Sequence, residues 1–219
     1  MASLSLTNGR VRRQEATARR RAEILRAALD LFLRQGVEPT TMEQIRAVSG
    51  ASTGSIYHLF RSKDEIAHTL FVEGMRRYHD RVLAAVRRQR TARGRIRAVV
   101  ATHLRITAEE PELSLYLTRL GMADADAETA AEYRAAHAAF AQDLYACLRP
   151  HVERGELADL PPELYFSLVV GPAAHLARSW LRGRYPHNPL AAVEILARAA
   201  WQSLLPPRRA GRQRPRSAS

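Results

Sequence analysis

Apolar residues recur along this chain at helical spacing. Ile24, Ala28, Leu31 and Phe32 stand at i, i+4, i+7 and i+8, which is one face of a helix. Gly36 and the following Pro39 supply its stop. A short second helix starts at Thr41. There Thr41 and Gln44 make a Thr-x-x-Gln capping box, and Met42, Ile45 and Val48 form the inward face. Gly50 ends this helix after two turns. Ser52 caps a third, whose inward residues are Ile56, Leu59 and Phe60. Ser62 and Glu65 make another capping box and open a long helix through Phe71 and Tyr78 toward Val86. Further helices are expected over 96–107, 111–120, 128–152, 162–181 and 189–204. Pro111, Pro162 and Pro189 suit first turns, and Asn188 suits a cap. Gly171-Pro172 is expected to interrupt or kink the 162–181 helix. Sustained period-2 alternation and Asn-Gly or Asp-Gly turns are absent, so the fold class is all-α.

Composition narrows the possibilities. The 219 residues are 46% hydrophobic, enough for a real core. No stretch approaches the roughly 18 apolar residues of a membrane helix, and the start of the chain is polar and basic, unlike a signal peptide. A cytoplasmic, non-membrane protein is expected. The single cysteine, Cys147, excludes an internal disulfide and a cysteine zinc site; it reads as a small buried hydrophobe. Nucleophile elbow, Walker loop, dinucleotide fingerprint and His-Glu-x-x-His are all missing, so no enzyme, metal or cofactor is expected.

Charge is placed unevenly. The net charge is +12, with +5 over residues 1–61, +2 over 62–205 and +5 over 206–219. Basic ends suit a polyanionic partner, nucleic acid or an anionic membrane face. Solubility and a GC-rich genome are the bland alternative, since Lys63 is the only lysine among many arginines. The two short helices around Gly50-Ala51-Ser52 have the layout of a helix-turn-helix. At 100° per residue, Ile56, Leu59 and Phe60 cluster on one side of the third helix, and Gly54 and His58 point away. Glycine costs about 1 kcal/mol against alanine in a helix. Close approach of another backbone would justify that cost at Gly54; relief of a tight turn is the alternative.

The runs Thr41-Met42-Glu43-Gln44-Ile45, Ser49-Gly50-Ala51-Ser52-Thr53-Gly54-Ser55-Ile56-Tyr57-His58-Leu59-Phe60 and Ser62-Lys63-Asp64-Glu65-Ile66 resemble the signature of the TetR/AcrR family of bacterial transcriptional regulators. The likeness covers roughly 18–78. Ala51 stands where valine is usual, and Leu59 where an aromatic or histidine is common; both touch operator preference rather than fold. The resemblance implies a helix-turn-helix domain over 18–78 (motif about 41–60), an effector-binding and dimerisation domain over 79–205, and basic tails at 1–17 and 206–219. It implies double-stranded operator DNA as partner. Thr41, Tyr57 and Lys63 would hold phosphates, and Ser52, Thr53, Gly54, Ser55 and His58 would lie at base edges or nearby backbone. Arg46, on the helix that crosses the backbone, is a further phosphate candidate, as are Arg10, Arg12, Arg13, Arg19, Arg20 and Arg21 in the arm. His58 and Lys63 also admit a plain reading as solvated surface residues.

One reader of this size covers a half-site. The resemblance therefore implies a homodimer through the last two long helices, on a palindrome, with readers about 34–36 Å apart. Leu168, His175, Leu196, Ala199 and Trp201 are candidates for the seam. It also implies a small-molecule effector among the middle helices and, by family default, a repressor. His103, Thr107, Tyr116, Met122, Tyr133, His137, Phe140 and Phe166 are the candidate lining, although Tyr133, His137 and Phe140 share a face that would serve equally as core. Control by a protein partner is the alternative to a small ligand.

Overall fold

The computed structural model describes residues 2–120 and 127–207, with side chains from Arg12 onward apart from those at 120, 127–130 and 133. The described residues form helices without strands. Three of them make a compact head: α1 (Ala2–Gln35), α2 (Met42–Ser49) and α3 (Thr53–Leu59). Ile24, Ala28, Phe32, Ile45, Ile56 and Phe60 close its core. The segment expected as a basic tail, 1–17, is part of α1, which is helical from Ala2. Its alanines and arginines favour helix, and Arg19 and Arg20 both reach Glu23 one turn on. The basic residues from 208 onward lie outside the described residues.

Caps set the head's geometry. At Thr41 the box is complete: Oγ1 accepts from the Gln44 amide at 3.2 Å, and Gln44 Oε1 accepts from the Thr41 amide at 3.0 Å. Gly50 ends α2 in the left-handed region at φ 64°. Ser52 accepts from the Ser55 amide to start α3. At Ser62 the box differs from the expected one, because Glu65 reaches back to the Arg61 amide at 2.7 Å. Thr40, fully buried, was not foreseen. Its hydroxyl donates to the Gly36 carbonyl at 2.7 Å and accepts from Gln35, tying the end of α1 to the start of α2. Val48, expected inward, is exposed; α2 is so short that Ile45 alone fills its buried position.

α4 (Lys63–Arg87) belongs to both halves. Its first turns place Ile66 and Leu70 in the head's core, and its last turns place Val82, Leu83 and Val86 in the rear core. The rear half contains α5 (Ala92–Glu109), α6 (Pro111–Leu120), α7 (Ala127–Glu153), α8 (Pro162–Leu181) and α9 (Val193–Ser203). α5 is buried nearly all round, including the run Ala98–Thr102, as a helix enclosed by α4, α8 and α9 must be. The last helix starts as a 3₁₀ turn, Pro189–Ala192, capped by Asn188. α8 is not interrupted at Gly171-Pro172: Pro172 lies on the exposed face, away from the buried Ala173 and Val169.

Candidate nucleic-acid interface and internal cleft

The outer surface of the head carries most of the residues singled out for DNA. Thr41, Ser52, Thr53, Gly54, Tyr57 and His58 are exposed, and Ser55 is half-buried. Tyr57 leaves 53% of its surface open despite its large ring, beside Val48 at 55%. Gly54 has no steric reason within the chain. Its φ is not positive, and an added Cβ would meet nothing within 4 Å. The turn-relief reading therefore falls. Lys63 is not a loose surface residue. Its ammonium donates to the Glu38 carbonyl and lies 3.8 Å from the Glu38 carboxylate, which pins it beside the α1–α2 loop.

Two cations expected at phosphates are engaged elsewhere. Arg46 is paired with Glu43 one turn back on α2, which holds that carboxyl below its usual range. Arg21 makes a two-pronged bond to Glu73 at 2.7 and 3.0 Å and lies over the Phe60 ring, so it fastens α1 to α4. Arg12, Arg13, Arg19 and Arg20 remain on the surface; Arg10 lies outside the described side chains.

A cleft of about 510 Å³ opens in the rear half between α4, α5, α6 and α8, with His137 of α7 completing the wall. Phe166, Val170, Ala174 and Arg178 reach it at four-residue intervals along α8; Ile106, Leu113 and Leu117 face them. Gly74 lets α6 approach α4, since a Cβ there would stand 3.2 Å from Leu117. Of the expected lining, His103, Thr107, His137 and Phe166 are present. Tyr116 is not. It is buried in the head's core, stacked on Phe32, and its hydroxyl donates to the Ala67 carbonyl. Phe140 is also core, 1% exposed, its ring parallel to His79 at 4.3 Å. Met122 lies outside the described residues, as does the Tyr133 side chain. The sequence reading missed Arg77, Arg81, Glu110 and Arg178, which make the cleft less uniformly apolar than expected. The four-residue stripe on α8 was the available signal for Arg178.

Burial shapes the histidines here. His103 accepts or donates at Nδ1 with the Tyr78 hydroxyl at 2.8 Å; burial, aided by the Arg178 charge, lowers its pKa to about 4. Burial and then the charge of His137 lower His79 to about 4 as well. Both rings are neutral at ordinary pH. Cys147 is half-buried against the rear core. No helix among the described residues is long and apolar enough to cross a membrane.

A capped helix pair with an exposed second helix, backed by a helical domain with an internal cleft, defines a helix-turn-helix DNA-binding regulator. Residues 24–70 match the family described as bacterial regulatory proteins, tetR family. The chain is 21% identical over 160 residues to the fatty acid metabolism regulator protein of Bacillus subtilis, covering 73% of this chain and 82% of that one. It is 42% identical over 65 residues to the regulator TcmR of Streptomyces glaucescens, covering 30% and 29%. The fold superposes with TM-score 0.72 on the regulator FadR of Bacillus subtilis in complex with stearoyl-CoA, at 19% identity over 84% of this chain and 98% of that one. The head therefore matches the tetR family over residues 24–70, and the chain shares the fold of TetR-type regulators.

Proposed function

We propose that this regulator is a repressor that binds a palindromic operator as a homodimer and leaves it when an amphipathic ligand with a long apolar portion fills the cleft. The observation that carries the reading is the position of α4. It starts at Lys63, beside the exposed recognition helix α3, and its middle, Gly74 to Arg81, walls the cleft. A ligand that prefers one tilt of α4 changes the separation of the two readers; equal affinity for both tilts would shift nothing. The cleft's volume lies within the ordinary range of ligand sites, about 300–1,000 Å³, and its walls are mainly apolar. The stearoyl-CoA bound by the Bacillus subtilis relative makes a long acyl chain the first ligand class to test. Control by a protein partner would leave such a cleft without a use.

In this reading Tyr57 and Lys63 hold phosphates, while Thr53, Ser55 and His58 set sequence preference. Gly54 lets the start of α3 come close to the DNA backbone. The dimer forms through α8 and α9, where Leu164 and Ile195 are exposed together with the expected seam residues His175 and Ala199. Leu168, Leu196 and Trp201 are half-buried against the rear core and contribute only their edges. The test is operator binding by the full chain, followed by fluorescence anisotropy, with and without stearoyl-CoA and free long-chain fatty acids. Release by either class is expected. A monomer that binds operator tightly, or an operator complex indifferent to every acyl ligand, would overturn the proposal.

A further inference from the structure

The polar groups of the cleft are not equally occupied. Arg77 and Arg81 are neutralised by Glu110 at 3.3 and 2.9 Å, with Glu109 as a second partner of Arg81. The hydroxyls of Thr107, Thr118 and Ser167 donate to carbonyls one turn back in their own helices. Two groups differ. Arg178 lines the cleft and has no carboxylate partner among the described residues. His103 Nε2 is buried without a partner. In the tautomer where the Tyr78 hydroxyl donates to Nδ1, the neutral ring carries its proton on Nε2, a second unspent donor. The two groups line the same cleft from facing helices, His103 from α5 and Arg178 from α8, which pack against each other.

A buried donor left unbound is costly, and an unpaired cation against apolar walls is costlier still. Such a pair is the complement of an anionic oxygen group. We propose that the cleft reads its ligand at both ends: the apolar chain lies along Ile106, Leu113, Leu117 and Phe166, and an anionic oxygen head is held by Arg178 with His103 Nε2 as second donor. The inference rests on the cleft being the effector site, and adds what that site demands of the effector. The head is a carboxylate or a phosphate; these share the chemistry that a guanidinium fork recognises.

The experiment is calorimetric titration of the full-length protein with dodecanoate, dodecanoyl-CoA and dodecanol. These share one chain and differ in the head. At least one anionic ligand is expected to bind about tenfold or more tightly than dodecanol, the usual margin of a charge-assisted hydrogen bond. A preference for dodecanoate assigns the head to carboxylate, and one for the CoA ester assigns it to phosphate. Arg178→Met should erase the preference while leaving dodecanol binding in place, Arg178→Lys should keep part of it, and His103→Leu should narrow it. Equal binding of all three by the wild type, or a preference that survives in Arg178→Met, overturns the head assignment and leaves the cleft reading standing. If none of the three binds, the cleft reading falls and the head assignment with it. Should Arg178→Met fail to fold, Arg178→Gln carries the same comparison.

Discussion

The head and the rear half solve the same problem, holding helices together, by different means. α2 and α3 have eight and seven residues, below the length at which an isolated helix is even marginally stable in water. Each is fixed by a side-chain cap at its start, Thr41 or Ser52, and they are separated by one left-handed glycine. α5, α7 and α8 have 18, 27 and 20 residues; α5 is also capped, by Thr91, but α8 has no side-chain cap at all. Packing along their length holds them. Short helices are thus specified by residues within a few positions, and long ones by whatever lies across from them. This is why the surface of the head is set by local chemistry, while the cleft is set by how five helices meet.

The largest test of that contrast is Tyr116. It comes from α6 in the rear half and is buried in the head's core against Phe32. Tyr116→Ala should destabilise the protein by about 3–5 kcal/mol in denaturant titration, in the range of large-to-small aromatic substitutions in cores. Tyr116→Phe should cost about 1 kcal/mol, the bond to the Ala67 carbonyl. If Tyr116→Ala left stability unchanged, the two halves would be packed more independently than described.

The next test isolates the exposed surface. Lys63→Ala should weaken operator binding about tenfold and reduce the salt slope by about 1, uniformly across operator sequences. His58→Ala should change the preferred bases and leave the slope alone. Salt titration combined with sequence selection checks both; altered bases with an intact slope in Lys63→Ala would reverse the assignment.

The smallest effects come from two glycines. Gly54 on α3 and Gly171 on α8 both sit inside helices, and a Cβ on either would meet nothing within 4 Å. Alanine at either position should stabilise the fold by up to about 1 kcal/mol. Gly171 lines the cleft, so the functional losses should separate: Gly54→Ala weakens DNA binding, and Gly171→Ala weakens ligand binding. Melting curves paired with the two binding assays check this, and loss of the same function in both variants would contradict it.

The same contrast explains which features could be read from the chain alone. The cap at Thr41, the break at Gly50 and the inward triad Ile56, Leu59 and Phe60 are encoded in consecutive residues, and the structure has them in register. The bounds of α6 and α8 were legible for a related reason, because a proline opens each. Tyr116 and Phe140 were misplaced as cleft lining because an apolar stripe has the same spacing whether it faces a cavity or a neighbouring helix. Arg178 was missed because its significance depends on Glu109 and Glu110 being spent on two other arginines of α4, a relation among three helices. Arg21 and Arg46 look like free cations in the sequence, and only their distances to Glu73 and Glu43 reveal them as fasteners.

Because α4 supplies side chains to both cores without a break, the two halves cannot be exchanged like beads on a string. Over 25 residues it is about 37 Å long, and each residue added or removed turns everything beyond it by about 100°. A chimera joined within α4 one residue out of phase would swing Val82 and Val86 out of the rear core while Ile66 and Leu70 stayed in the head. Any recombination that trades one sensor for another must therefore cut at the ends of this helix or conserve its count of residues, so its length is inherited as a unit.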